Sequence, residues 1–407
     1  MSPRVLLLRI ARKLVHVRWL AALVALLLSL RTRVFLRGGG QPVVVILSQG
    51  RAGHSYSAAR AARSLGLRVL LVSPDPVLQE MVYAHYLIRL DPLTDTDKVI
   101  ERLRPLPVEA VIISIKHIIL PAQVKVAEAL GVISCGAEVA HLANDKLAWR
   151  HAIAAAGLPQ QRFSERPEDL AGLPMVRKPL SGTGSKGVAY IAADADAATV
   201  AATRDGSPDF FEEYVDGEQF DVEGVSRDGQ HRMIAIIKEK YERYGEMFPP
   251  KYFHFNPGHD PAFLKALEEA AYKVLDASAV RNGAWHVEIR HRDGQFLPID
   301  FANRMGYERF MTRASGMDFA QQHVASFVRR LDLPFERKPI ALMQFFATRP
   351  EEAPVLKRIA ARHPRAIFDA TLEDFAMSTI IYNGMIVIEA KDNDALFSML
   401  DGLRIEP

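Results

Sequence analysis

Apolar residues are spaced differently in the first forty positions and in the rest of the chain. Residues 19–30 (WLAALVALLLSL) form one uncharged apolar run between Arg18 and Arg31. Beyond Gly38-Gly39-Gly40, a flexible break, apolar positions come in short bursts. Val43–Leu47 (VVVIL), Arg68–Val72 and residues 109–115 (EAVIISI) read as strands buried on both faces. Between them, residues 55–65 and 124–130 read as helices closing on Gly66 and Gly131. Strand, helix, strand at this spacing predicts a parallel α/β domain over residues 41–143.

From Asn144 the rhythm changes. A helix over 146–156 ends at Gly157, and the strand Met175–Pro179 runs into the loop 181–187 (SGTGSKG), with a strand over 188–191 behind it. Strands over 210–215, 220–225 and 233–238 follow. Then come a helix over 261–278 and a hairpin of 284–290 with 295–301 around Asp293-Gly294. This stretch predicts an antiparallel α+β domain over residues 144–335. The tail, 336–407, reads as a small α/β cap. It has a strand over 341–347, a hairpin of 378–382 with Met385–Ala390 around Asn383-Gly384, and a helix over 394–403.

Composition narrows the classes. Hydrophobic residues at 49% and charged residues at 24% exclude a disordered chain and a multi-span membrane protein. The single cysteine, Cys135, excludes an intramolecular disulfide framework and a multi-thiolate zinc site, and fits a reducing compartment. Net charge is +3, but residues 1–74 hold twelve Arg or Lys and no acid before Asp75, so the remainder carries nine net negative charges. A basic front on an acidic body argues against nucleic acid as a partner.

The apolar run at 19–30 would rise about 18 Å as a helix, short of the ~30 Å bilayer core. It resembles the apolar part of a secretory signal in outline, yet RTRVFLRGGG follows instead of a small-x-small cleavage site. The functional reading of residues 1–37 is an interfacial helix with its arginines toward anionic lipid. The alternatives are a helix packed on its own protein or on a partner, or an extended start with no role.

Three segments carry chemistry. In the first, Lys178 closes a strand just before Ser181, Gly182, Thr183, Gly184, Ser185, Lys186 and Gly187, where glycines let main-chain N–H groups close around phosphate. Lys146, opening a helix, is a second ammonium. Taken alone, the loop is equally a flexible hairpin tip. In the second, Glu212, Glu213, Tyr214, Val215, Asp216, Gly217, Glu218 and Gln219 offer a strand edge for an adenine and polar groups for ribose hydroxyls, or simply an exposed acidic hairpin. In the third, Glu288 and Asp300 lie on paired strands, where alternation puts both carboxylates on one face, a site for a hard cation. Surface charges balanced by Arg290 and Arg304 are the plainer alternative.

In this order and spacing the three segments together resemble the ATP-grasp fold, over roughly residues 42–335, with a family-type cap in the tail. Within it the layout looks most like the carboxylate–amine ligases, including L-amino-acid ligases. The resemblance implies ATP with Mg²⁺ or Mn²⁺ as cofactors. It implies Lys146 and Lys178 on the phosphates and 181–187 as a flap over them. Glu212 and the main chain of Glu213, Tyr214 and Val215 would meet adenine, and Gln219 the ribose. Glu288 and Asp300 would hold the metal, and Arg304 would stabilise the acyl phosphate. The family often has Asn two positions after the second metal acid. Here Ala302 stands there, and Asn303 would need a bulge to replace it. Lys240, His254, His286 and Arg304 are the substrate candidates, with Lys116-His117 facing the cleft.

The implied reaction is attack of a substrate carboxylate on ATP to give an acyl phosphate, then attack by an amine, in a site closed to water. The partners are small-molecule acids and amines, in a cytoplasmic protein peripheral to the inner membrane face through residues 1–37; a homodimer is compatible. The alternatives are an ATP-grasp carboxylase or other acyl-phosphate ligase, and a non-catalytic nucleotide-sensing scaffold at a membrane surface.

Overall fold

In the computed structural model, the described residues are 18–35, 41–49, 56–113, 116–182, 186–203, 206–242, 249–349, 351–371, 375–377, 380–382 and 384–405. The readings of residues 1–17, of Thr183, Gly184 and Ser185, and of Asn383 lie outside them.

The N-terminal domain is a four-stranded parallel sheet in the order Tyr86–Ile88, Arg68–Val72, Val43–Leu47, Val108–Ile112. Every residue of Val43–Leu47 is buried, as its unbroken β-branched run requires. The helix Arg18–Phe35 packs its Ala25, Leu28, Thr32 and Phe35 onto this domain. Phe35 stacks on Tyr86 at 4.2 Å, and Thr32 Oγ1 accepts a hydrogen bond from the Leu87 amide at 2.8 Å. One face of the leader thus packs on its own protein. Among the described residues, no helix is long and apolar enough to cross a membrane.

Two further sheets of four or more strands follow among the described residues. A small four-stranded one runs Phe163–Ser164, Asp209–Glu213, Met175–Pro179, Ala189–Ile191. The large one has eight strands: Gln295–Ala302, Gly283–Arg292, Glu218–Arg227, Gln230–Tyr241, Pro250–Phe255, Ala341–Phe346, Met385–Ala390, Ile367–Thr371. Strands of the tail therefore continue the sheet that begins at the Asp293-Gly294 hairpin. The strands Asp209–Glu213 and Glu218–Arg227 belong to different sheets, so residues 214–217 are the crossover between two lobes rather than a hairpin tip. Gly217 is required there. Its φ is +133°, and a Cβ would lie 2.3 Å from the His291 carbonyl oxygen.

One local reading is corrected. The hairpin at Asn383-Gly384 does not form as read. Met385–Ala390 pairs with Ala341–Phe346 and Ile367–Thr371, while Ile380–Tyr382 pairs with Phe375–Met377. Burying Ile386, Val387 and Ile388 in the large sheet outweighs the local turn preference.

A buried histidine fastens the N-terminal domain to this sheet. His323 Nδ1 accepts from the Ala284 amide at 2.9 Å, which leaves Nε2–H to donate to the Ile113 carbonyl at 2.7 Å. Burial pushes its pKa down to about 4, so it stays neutral. Close packing also restricts the sheet. A Cβ on Gly224 would lie 2.3 Å from both the Arg232 carbonyl oxygen and the Trp285 ring. Gly224→Ala is expected to cost about 1–3 kcal/mol. Urea unfolding indistinguishable from the parent would refute this.

Candidate active site

The helix Lys146–Ala155 starts at Asp145, whose carboxylate accepts from the Ala148 amide at 2.9 Å. Lys146 and Arg150 are four apart on it and share a face. Arg150 is fully buried and ion-paired with Glu212. Its remaining donors go to the carbonyls of Pro298 at 2.7 Å and Ile299 at 3.2 Å. Lys178 Nζ reaches the other oxygen of Glu212 at 2.8 Å and the Ile299 carbonyl at 2.8 Å. Lys146 is paired with Asp300. One ionic chain thus joins the small sheet, the connecting helix and the strand Gln295–Ala302.

Charge states follow from this chain. Burial alone would raise the pKa of Glu212, but Arg150 and Lys178 hold it at about 2. Burial likewise opposes ionisation of Asp300, and Lys146 and Lys178 override it, keeping the carboxylate well below its usual range. The Lys178 pKa is lowered, mainly by burial and against the pull of Glu212.

Beside this chain lies an acidic face. Gln219, Asp221 and Glu223 alternate along one strand, and His286, Glu288 and Arg290 along its neighbour. His286 Nδ1 is 2.9 Å from Asp221 and 3.3 Å from Glu223, and its Nε2 is 3.1 Å from Glu288. Burial disfavours the imidazolium, but Asp221, Glu223 and Glu288 raise its pKa well above the ordinary histidine value. The Asp221 pKa is pushed up to about 7, chiefly by burial, with Glu223 and Glu288 adding to it against His286. Glu239 is buried in the same group, its pKa raised by burial and by Asp221 and Glu288. It accepts from Gln219 at 2.9 Å and Tyr241 at 3.0 Å. Glu223 accepts from the amides of Gly306 at 3.1 Å and Tyr307 at 3.3 Å.

A cavity of about 570 Å³ opens between the lobes. It is lined by Lys146, Lys178, Ser181, Gly182, Glu212, Glu213, Tyr214, Val215, Gln219, His286, Glu288, Asp300 and Arg304 among the expected residues. Glu288 and Asp300 are direct register partners across their hairpin, as alternation requires. Two contacts differ from the expected ones. The Glu212 carboxylate is filled by Arg150, Lys178 and Gln161, so it positions a lysine rather than meeting a base. Gln219 is bound on both ends of its amide, by Arg290 and by Glu239.

Other residues fall elsewhere. Asn303 is buried and donates to the carbonyls of Asn282 and Ala284, on the opposite side from Asp300. Period two keeps it there, and the bulge in this hairpin falls between Glu288 and Ile289 instead. Gly187 does not line the cavity; its carbonyl accepts from Arg177 at 2.9 Å. Lys240 is exposed and outside the cavity. His254 lies toward the tail, 2.6 Å from Asn393, with burial pushing its pKa down to about 4. Arg150, Gln161, Asp221, Glu223, Glu239 and Tyr307 were not among the expected site residues. Asp221 and Glu223 did carry a signal, acids at alternate positions of an otherwise apolar strand.

The family profile described as "ATP-grasp domain" matches residues 171–311. Solved structures extend the likeness in fold to most of the chain. The L-amino acid ligase from Bacillus licheniformis aligns with a TM-score of 0.70 at 17% identity, over 90% of this chain and 97% of that one. N5-carboxyaminoimidazole ribonucleotide synthetase from Thermotoga maritima aligns at 0.66 and 16%, over 90% and 98%. Phosphoribosylglycinamide synthetase from Anaerococcus prevotii aligns at 0.63 and 13%, over 89% and 98%. No curated protein sequence matches this chain significantly.

Glu212→Gln leaves the buried Arg150 without its counter-ion and should cost about 3–5 kcal/mol in urea unfolding. Because the folded-state pKa of Glu212 is depressed, its contribution is complete above about pH 4.5 and lost as pH falls toward 2. The variant should therefore lose less stability than the parent across that window; parallel losses would assign the acid sensitivity to other groups.

Proposed function

We propose that this protein is an ATP-dependent, ADP-forming ligase. It joins a carboxylate to an amine through an acyl phosphate, on amino acids or a related small metabolite. The observation that carries this reading is the convergence of Lys146, Lys178, Glu288, Asp300 and Arg304 on one cavity at the crossover between two lobes. That set suits a polyphosphate and offers nothing resembling a nucleophile–base pair: Cys135 is buried, and burial pushes its pKa up to about 12. Lys146 and Lys178 neutralise the phosphates, and residues 213–215 border the adenine. Glu288 and Asp300 supply the oxygen donors that Mg²⁺ or Mn²⁺ prefers. When bound, such an ion would offset phosphate charge. Arg304, whose Nε is buried without a partner, has an unfilled donor for the oxygens of the transferring group.

The test is ADP release across pairs of acids and amines, with mass analysis of products. Release that needs both partners, and a product lighter than their sum by one water, is the expected result. Arg304→Ala should lower kcat at least about 100-fold with unchanged unfolding. Release driven by bicarbonate would favour the carboxylase reading, to which the solved synthetases lend weight. Saturable ATP binding without release would favour a nucleotide sensor.

A second element of this reading concerns location: a cytoplasmic protein resting on the inner membrane face. The support is the outer side of the helix Arg18–Phe35. Leu23, Leu26, Leu27, Leu30 and Val34 form a stripe at helical spacing, each 45–70% exposed. Arg31 and Arg33 are exposed beside it, and no acid precedes Asp75. That charge pattern fits anionic lipid. The protein should co-sediment with vesicles containing anionic lipid and not with neutral ones, and Leu26→Glu with Leu30→Glu should abolish binding. No binding, with a concentration-dependent dimer that the same changes dissociate, would assign the stripe to a second copy instead.

A further inference from the structure

We propose that Lys116 and His117 form a subsite for a second anionic group on the acid substrate. The acid that this enzyme activates is then a dianion, a dicarboxylate or a phosphorylated carboxylate. This rests on the ligase reading above and names the class of its first substrate.

Both residues follow the strand Val108–Ile112, at the carboxyl end of the parallel sheet, where α/β folds present ligand-binding groups. They belong to a different domain from the residues assigned to ATP, yet they line the same cavity. His117 is 6% exposed, and its Nδ1 is buried without a hydrogen-bond partner. Its main chain is fixed, since Asn144 Nδ2 donates to its carbonyl at 3.1 Å. Arg304 Nε, on the same cavity, is likewise buried and unpartnered. A buried polar atom without a partner costs free energy that a ligand's hydrogen bond would recover.

Charge points the same way. The acids lining the cavity are already engaged. Glu212 is held by Arg150 and Lys178, Asp300 by Lys146, Glu288 by His286 and Glu213 by Arg292. Among the described residues, no carboxylate pairs with Lys116 or Arg304. The phosphates are served by Lys146, Lys178, Lys186 and the ion that Glu288 and Asp300 would hold, and the acyl phosphate that forms on the reacting carboxylate by Arg304. Lys116 then remains as a surplus cation with a buried, unfilled imidazole beside it. After burial, Arg304 and Lys146 are the strongest influences on His117, and together they hold its pKa near 4. It is therefore a neutral donor or acceptor beside those two cations. The monoanionic carboxylate needed for phosphoryl transfer gives Lys116 nothing to neutralise; a second anionic group does.

The experiment is calorimetric titration of the full-length protein loaded with ADP and Mg²⁺. The probes are succinate, glutarate and adipate, each against its monoamide, and 3-phosphonopropionate. At least one dianion should bind about tenfold or more tightly than its monoanionic partner. A preference for the phosphonate would identify the second group as phosphate, and a preference for a diacid would identify it as carboxylate. Lys116→Gln should erase the preference while leaving ADP and monoamide affinity unchanged, and Lys116→Arg should keep it. Equal binding of dianions and monoamides by the parent protein would overturn the proposal. So would loss of ADP affinity in Lys116→Gln, which would assign Lys116 to the nucleotide. A retained dianion preference without ADP release in any acid–amine mixture would count against the ligase reading and leave the subsite standing.

Discussion

The candidate site depends on one buried carboxylate. Glu212 sits where two lobes meet, and its oxygens are claimed by Arg150 on one side and Lys178 on the other. Removing two cations and an anion from water is costly, and only close pairing with full hydrogen bonding repays it. The carbonyls of Pro298 and Ile299 supply what Glu212 cannot. Lys178 is therefore delivered to the cavity at a fixed position by a contact made elsewhere. A flexible lysine on a strand end would otherwise lose its reach to side-chain entropy. The residue expected to read a base turns out to organise the group beside it.

The large sheet answers the opposite problem. One of its faces carries Asp221, Glu223, Glu239 and Glu288 with little solvent to disperse their repulsion. His286 stands among them as a resident cation, touching Asp221, Glu223 and Glu288. Main-chain amides of Gly306 and Tyr307 share the load. Gly306 has to be glycine for this, because a Cβ would sit 1.8 Å from the Glu223 carboxylate.

Much of this was legible in the sequence. Period-two alternation placed Glu288 opposite Asp300, and the structure makes them register partners. The strands Val43–Leu47, Arg68–Val72 and Met175–Pro179 form over the same residues that the sequence pattern marks. What was hidden were long-range partners. Nothing local connects Arg150 to Glu212, 62 positions away, or His323 to Ile113. The tail shows the converse failure. Asn383-Gly384 is a strong turn signal, but the strand after it finds more burial beside Ala341–Phe346. Asn303 shows that alternation was the better guide than the family habit of an asparagine near this spot.

The strand Gln295–Ala302 is the first in its sheet, with a neighbour on one side only. An unfinished sheet margin is usually a hazard, since its open carbonyls invite another chain. Here the margin is put to use as an adhesive strip. An interior strand would have spent the oxygens of Pro298 and Ile299 on a second neighbour. Left over at the border, they receive a guanidinium and an ammonium from the smaller lobe instead. Extending the sheet by one more strand would gain backbone pairing and erase the seam that holds the two lobes in line.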